Sequence, residues 1–226
     1  LKKVKNLKFD IIFSAIILLS FCLRIIAIIY LGDDYVANEW QILLKNLEEK
    51  NILSVRDVGG VPVPNIFMPP LYPFFLYSIK FLIFDFDNFL LAVHTIQLFL
   101  SLLSIYLMYK ILLDIYSNKI SYFGTLAFAI FPLNIYAASQ LSSITIQLFL
   151  LCAFLYNYIK IFNSKKIYHT ILFSFSAGLL ILLRGEFFIF VILSLIYLFL
   201  KNKDFKNLIF TVFLIILIIS PYVYRN

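Results

Sequence analysis

The chain has 226 residues, of which 63% are hydrophobic and only 14% are charged, and its formal net charge is +7. A soluble domain of this size needs a mostly polar surface that this composition does not supply, so the composition excludes a water-soluble globular protein. The excess of lysine is no sign of a nucleic-acid partner, because the lysines lie between long apolar stretches, where they are typical of membrane orientation.

The first predicted element is a membrane-spanning helix over residues 10–31, preceded by lysines at positions 2, 3, 5 and 8. The stretch is too long for a signal peptide and no small-residue cleavage site follows, so we expect an uncleaved helix with a cytoplasmic N-terminus. Arg24 is the single charge between Ile11 and Leu31. A charge at this depth is a functional candidate; the alternative is an arginine that simply reaches Asp33, Asp34 or a lipid phosphate.

The next segment, residues 32–85, is predicted to be an extracytoplasmic loop with two surface helices. The string EWQILLKNLEE, residues 39–49, places apolar and charged side chains on opposite faces of a helix, which is typical of a helix lying on a membrane. Residues 71–84 are apolar but make only about 21 Å of helix, too short for a core of about 30 Å. We therefore expect them to lie on, or dip into, the outer leaflet.

The rest of the chain is predicted to cross the membrane repeatedly. With the first helix, the expected spans are about 10–31, 86–109, 120–138, 141–160, 167–183, 187–200 and 207–224. The gaps near residues 110–119, 160–166 and 201–206 carry lysines, and the positive-inside rule places them in the cytoplasm if the short apolar helix does not cross.

The predicted fold is therefore an all-α integral membrane protein, a polytopic bundle of about seven spans with amphipathic helices in its first extracytoplasmic loop. We expect one transmembrane domain over residues 1–226. The chain begins without Met and stops directly after an apolar stretch, so we also expect it to be the N-terminal fragment of a longer protein.

Several strings in the sequence resemble one family of membrane enzymes. An acidic pair and an amphipathic helix precede MPPLYPFFL (68–76), while LLILLRGEFF (179–188) and PYVYRN (221–226) follow. Together they resemble the protein O-mannosyltransferases and bacterial aminoarabinose and sugar transferases of the GT-C class, over essentially the whole chain. The first string matches a Pro-Pro-Leu-Tyr-Pro signature, the second a loop with a basic residue, and the third a Pro-Trp-x-x-Arg-Asn ending.

The resemblance implies a glycosyltransferase that moves a sugar from a polyprenyl-phosphate carrier to an extracytoplasmic acceptor by an inverting transfer. Asp34, with Asp33 beside it, is the candidate base, since a carboxylate at the membrane surface can accept the proton of the acceptor. The alternative for either aspartate is an N-cap of the surface helix. Which of the two aligns with the family is open.

The other candidates would bind the substrate. The guanidinium groups of Arg184 and Arg225 suit a lipid phosphate, although either is equally an arginine reaching the interface from a helix end. Glu39, Tyr72 and Arg24 complete the expected substrate site. No metal-ligand spacing or phosphate-binding glycine loop is visible, so we expect no cofactor and have no support for a divalent cation.

The expected partners are the lipid-linked sugar, the acceptor and the bilayer, in a multi-pass protein of the bacterial inner (plasma) membrane. The acceptor is open among an envelope glycan, lipid A and a protein. A lipid-glycan flippase and a non-catalytic scaffold are the alternatives. A transporter should show inverted repeats or paired broken helices, and the sequence shows no internal repeat.

Overall fold

The computed structural model describes residues 11–36, 38–59, 61–63, 68–83, 85–164 and 166–225. In these ranges the chain forms ten helices: α1 (Ile11–Leu31), α2 (Asn38–Lys50), α3 (Leu71–Leu82), α4 (Phe86–Ile115), α5 (Asn118–Ile130), α6 (Pro132–Ser139), α7 (Ile144–Ser164), α8 (Ile167–Leu183), α9 (Phe187–Asn202) and α10 (Phe205–Arg225). A short antiparallel hairpin of β1 (Asp57–Val58) and β2 (Val61–Pro62), which the sequence did not predict, lies in the first loop.

Among the described helices, α1, α4, α7 and α10 are long and apolar enough to cross a membrane, and the α5–α6 pair passes the same test as one bent span. The protein is therefore a multi-pass helical membrane protein. The count of seven spans is not confirmed. The remaining two expected spans, α8 and α9, have 17 and 16 residues, fewer than the ~20 that usually cross a bilayer.

The expected continuous span over residues 120–138 is wrong in one respect, because the helix breaks at Phe131 and its halves meet at a bend of 48°. Pro132 explains the break, since proline has no backbone N–H and its ring clashes with the preceding turn. The carbonyl of Phe128 loses its usual helical partner there. The Asn134 Nδ2 donates to this carbonyl instead, at 3.1 Å.

The helix ends collect at two opposite ends of the bundle. At one end, Lys160 pairs with Asp114 at 2.7 Å and His169 Nδ1 lies 2.9 Å from the Asn157 side chain, which joins α4, α7 and α8. At the other end, the segment after α1 contacts the turn between α6 and α7. Two of the lysine-bearing turns, those after α4 and after α7, thus lie together at the end of the bundle away from the first loop.

The first loop folds back onto the bundle through its two surface helices. The amphipathic prediction for α2 is confirmed, because Leu43, Leu44 and Leu47 are buried while Lys45 and Glu48 on the other face are exposed. Lys80 of α3 pairs with Glu48 at 2.9 Å. These contacts fix the loop over the end of the bundle opposite the lysine-bearing turns.

Candidate functional site

The acidic pair stands at the end of α1, where the helix stops at Leu31. A side chain at Gly32 would collide with the backbone carbonyl of Ile28, so the close turn that follows the helix requires glycine. After this turn Asp33 is half-buried and Asp34 is exposed. Neither aspartate caps α2 through a hydrogen bond among the described residues: the Asp33 carboxylate bonds elsewhere, to Leu141, and Asp34 is exposed.

Asp33 is held by the turn between α6 and α7. Its Oδ2 accepts a hydrogen bond of 2.8 Å from the backbone N–H of Leu141, and its own backbone N–H donates to the carbonyl of Ser139 at 3.4 Å. The side chain of Gln140 donates to the carbonyl of Leu31 at 2.5 Å. Three successive residues of that turn therefore clamp the segment that carries the acidic pair.

A stripe of buried polar side chains on α4 continues from Asp33 into the bundle. His94, Gln97 and Ser101 occupy one face of the helix, since they are three and four positions apart. The His94 Nε2 lies 3.2 Å from the Asp33 carbonyl oxygen, and the Gln97 Nε2 donates to the Tyr72 hydroxyl at 3.3 Å. The stripe links the acidic pair to α3 and, deeper, to α1.

Tyr72, the tyrosine of the Pro-Pro-Leu-Tyr-Pro string, lies on α3 and is buried beneath α2. It is 1% exposed, and its ring meets that of Trp40 edge-on, with the centroids 4.8 Å apart. Burial raises the pKa of the Tyr72 hydroxyl well above its ordinary value; the hydrogen bond from Gln97 lowers it in part, and the charge of Asp33 raises it again. The hydroxyl is therefore neutral at every physiological pH.

A groove of about 250 Å³ opens one residue beyond the acidic pair. Its walls combine polar and charged groups of α2 and α3 with aliphatic and aromatic side chains; they include Tyr35, Gln41, Lys45, Glu48, Lys80 and Phe86. Glu48 and Lys80 neutralise each other through their ion pair, whereas Lys45 has no hydrogen bond or ion pair among the described residues. The groove therefore combines hydrogen-bonding groups, aromatic faces and an uncompensated cation.

Arg184 follows α8 directly, in the turn before α9. Its side chain is half-buried and has no hydrogen bond or ion pair in the part of the chain that the structure describes. Measured from the His169–Asn157 contact, α8 up to Leu183 and α7 back to Ile144 each extend about 20 Å. Arg184 therefore lies at the same end of the bundle as Asp33.

The other predicted site residues are more scattered. Arg225 is exposed, and its Nη2 donates to the carbonyl of Leu53 at 3.2 Å, which ties the end of α10 to the first loop. Glu39 is exposed on α2. Arg24 does not contact the aspartates or the surface: it is fully buried, and its guanidinium donates to Ser101 and to the carbonyls of Ser20 and Ala129.

Sequence reasoning missed His94, Gln97 and the backbone N–H of Leu141, which form the surroundings of Asp33. The spacing of His94, Gln97 and Ser101 inside an apolar helix was a usable signal, because buried polar groups in a membrane helix are rarely without a role. The N–H of Leu141 carries no such signal. Of the described residues, no group of three His, Cys, Asp or Glu side chains is arranged to hold a metal ion.

Comparison with known proteins identifies the family. Searches of curated proteins and of solved structures gave no significant match. A family model described as dolichyl-phosphate-mannose-protein mannosyltransferase matches residues 68–224, which is more than half of the chain. This match confirms the predicted GT-C resemblance and implies a membrane glycosyltransferase that uses a lipid-linked sugar, so the chain belongs to the dolichyl-phosphate-mannose-protein mannosyltransferase family.

Proposed function

We propose that the protein transfers a sugar from a polyprenyl-phosphate carrier to an acceptor outside the cytoplasm. The observation that carries the proposal is the position of the acidic pair. Asp33 and Asp34 stand at the end of the bundle opposite the lysine-bearing turns, with Asp33 clamped and Asp34 exposed beside the groove. General-base catalysis requires a positioned carboxylate that the acceptor can reach, and Asp34, next to the held Asp33, fits this description.

In this proposal Asp34 is the base and Asp33 orients it. The acceptor O–H or N–H gives its proton to the Asp34 carboxylate as the acceptor atom attacks the anomeric carbon. The bond from that carbon to the carrier phosphate breaks, and the phosphate leaves with the electron pair. Attack from the face opposite the leaving phosphate inverts the anomeric configuration. The step changes no oxidation state, so it needs no redox partner.

Arg184 is the proposed ligand of the carrier phosphate. Its guanidinium is half-buried and unpaired among the described residues, and it lies at the same end as the acidic pair. A guanidinium binds phosphate oxygens through two parallel hydrogen bonds and stabilises the charge that grows as the phosphate leaves. Arg225 is the second candidate, although its bond to Leu53 also supports a role in fastening the loop. We propose no metal cofactor.

The groove beside Tyr35 is the proposed place for the sugar or the acceptor. It adjoins Asp34 in the chain and offers the amide of Gln41 and the ammonium of Lys45 beside aromatic rings. Ligand sites of this kind combine apolar walls with a few polar groups that fix orientation. Glu39 lies on α2, as Gln41 and Lys45 do, and is proposed to contact the substrate. Tyr72 supports α2 from beneath through its contact with Trp40.

We propose seven spans, with α8 and α9 as a short hairpin, and a cytoplasmic N-terminus in a bacterial inner (plasma) membrane. The support is the lysine pattern of the sequence and the contacts that bring the ends of α4, α7 and α8 together. Under this orientation the first loop and Arg184 face outward. A lipid-linked sugar delivered on the outer leaflet meets both of them at the membrane boundary.

A lipid-glycan transporter is the competing function, and the bent α5–α6 pair is the observation that favours it. Transporters use broken helices near the bilayer midplane, in corresponding positions of two halves. The described part of the chain has one such pair and no matching second one. A transporter needs no carboxylate pair at the surface, so the family match and Asp34 favour the transferase.

The test is a transfer assay with the chain in native membranes. Polyprenyl-phosphate mannose and polyprenyl-phosphate aminoarabinose, each radiolabelled in the sugar, are supplied to vesicles, with the corresponding nucleotide sugars as controls. We expect label in a non-carrier product from at least one lipid donor and none from the nucleotide sugars in washed vesicles. Label that crosses the membrane but stays on its carrier would establish a transporter and contradict the proposal.

A further inference from the structure

Arg24 lies inside the membrane part of the bundle, between α1, α4 and α5. It is fully buried, and Nε donates to the Ser101 hydroxyl at 2.7 Å, while Nη1 donates to the carbonyls of Ser20 at 3.2 Å and Ala129 at 3.1 Å. Nη2 has no partner among the described residues. A buried charge is costly when no described carboxylate pairs with it, which indicates that its contacts serve a specific purpose.

The carbonyl of Ala129 belongs to the last turn of α5, where the span breaks. The last carbonyls of a helix have no intrahelical partner, and a cation there also meets the negative end of the helix dipole. Two side chains supply the missing donors: Asn134 at the carbonyl of Phe128 and Arg24 at the carbonyl of Ala129. Arg24 therefore supplies a donor to a buried carbonyl at the end of α5.

The segment beyond this break is α6, and its far end holds the acidic pair. α6 has eight residues, so it spans about 12 Å between the break and its last residue. Its C-terminal end is fixed by Thr145, whose hydroxyl donates to the carbonyl of Ala137 at 2.8 Å. Ser139, the last residue of α6, and Leu141, two residues later, make the two bonds to Asp33.

We propose that Arg24 is a positioning residue for the transferase site. By closing the end of α5 it sets the bend of the span and thereby the position of α6, whose end orients Asp33 and so Asp34. The chain of contacts runs from the guanidinium to Ala129, along α6, and from Leu141 to the Asp33 carboxylate. This inference rests on the proposed function for its effect on turnover. The effect of Arg24 on the bend between α5 and α6 does not depend on that function.

A positioning role and a purely structural role of Arg24 predict different results for the same substitution. Replacing Arg24 by Met removes a buried charge while keeping much of the side-chain volume, but it leaves the carbonyl of Ala129 without this donor, which is expected to cost some stability. A purely structural arginine would then lower the unfolding temperature but leave the turnover of the folded protein and the bend unchanged. A positioning arginine loses turnover in a well-folded protein, since a displacement of about 1 Å near a reacting group costs up to ~100-fold in rate.

The first experiment measures steady-state transfer for R24M and R24K in vesicles at matched protein amounts. We expect R24M to lower kcat about 10- to 100-fold, with KM for the lipid donor within about threefold of wild type. R24K, which keeps a donor for Ala129, should recover part of the kcat. The matched control is S104A, on the same face of α4 as Ser101, whose hydroxyl donates to the carbonyl of Leu100. Equal kcat in R24M and wild type would overturn the proposal.

The second experiment does not depend on activity. Spin labels are placed at Leu133 on α6 and Ile216 on α10, both exposed, after Cys22 and Cys152 are replaced by Ser. We expect one narrow distance distribution in wild type and S104A, a broadened or shifted one in R24M, and partial restoration in R24K. An unchanged distribution in R24M would refute the inference alone, whereas a shifted distribution in a protein without transferase activity would refute only the proposed function.

Discussion

Asp33 and Leu141 are 108 positions apart in the chain, yet the carboxylate of the first accepts a hydrogen bond of 2.8 Å from the backbone N–H of the second. This bond joins the end of α1 to the turn between α6 and α7. Because Asp34 is the next residue, its position depends on a contact that Asp33 makes. The acidic pair therefore divides into one carboxylate that is held and one that is exposed.

The division predicts different results for two changes at Asp33. Asp33→Asn keeps an oxygen that can accept from the N–H of Leu141, and we expect kcat to fall by less than about fivefold. Asp33→Ala removes the acceptor and should lower kcat by about 10- to 100-fold, since the neighbouring base is then misplaced. Steady-state transfer rates test this. Equal losses for both variants would mean that Asp33 acts through its charge and is itself a base.

Arg184 should act on donor binding and on the departure of the phosphate. Arg184→Met removes the proposed charge-assisted hydrogen bond to the phosphate of the lipid donor. Such bonds are worth about 1.5–3 kcal/mol, so kcat/KM for the donor should fall by about 10- to 100-fold. Arg184→Lys keeps the charge without the bidentate geometry and should lie in between. The control is Lys203→Met, at an exposed cation of the lysine-bearing end. A loss in the control equal to that of Arg184→Met would mean that surface charge alone matters.

Tyr72 should matter through the buried bond that it makes with Gln97. Tyr72→Phe keeps the ring contact with Trp40 but leaves the Gln97 side chain without its partner, which should cost about 1–3 kcal/mol of stability. Thermal unfolding in detergent measures the loss. Tyr30→Phe, at a tyrosine that is 80% exposed, should leave the unfolding temperature unchanged. An unchanged unfolding temperature of Tyr72→Phe would show that the bond between Tyr72 and Gln97 contributes nothing to stability.

Removal of divalent cations tests whether arginine alone handles the phosphate. With Arg184 binding the phosphate oxygens, no bound metal ion is needed to stabilise the leaving group. Chelation with EDTA should therefore leave the transfer rate within about twofold of its untreated value. Loss of activity that Mg²⁺ or Mn²⁺ restores would assign part of that task to a metal ion.

Much of the architecture could be read from the sequence. Long apolar stretches and lysine-bearing gaps predicted a multi-pass bundle with one large loop, and the spacing of Leu43, Leu44 and Leu47 predicted the face that α2 buries. These features follow from local periodicity and composition, which need no knowledge of distant contacts. The Pro-Pro-Leu-Tyr-Pro string and its context predicted the family, which the match over residues 68–224 confirms.

The surroundings of Asp33 could not be read in the same way. Its partner is a backbone N–H at Leu141, and a backbone donor leaves no trace in residue identity. Pro132 was visible, but whether a proline bends or merely tilts a span depends on which groups satisfy the freed carbonyls. Here Asn134 and Arg24 do so. The partner of Arg24 was misjudged because α5 ends within its reach, which only the fold reveals.

The most direct measurement of the central claim is transfer from the lipid-linked donor by Asp34→Asn, compared with wild type in vesicles of equal protein content. Glu49→Gln, at an exposed carboxylate on the neighbouring surface helix, is the matched control. We predict normal insertion of both variants, an unchanged rate for the control, and a loss of at least about 100-fold in kcat for Asp34→Asn, the usual minimum contribution of a general base. Wild-type turnover by Asp34→Asn would contradict the account.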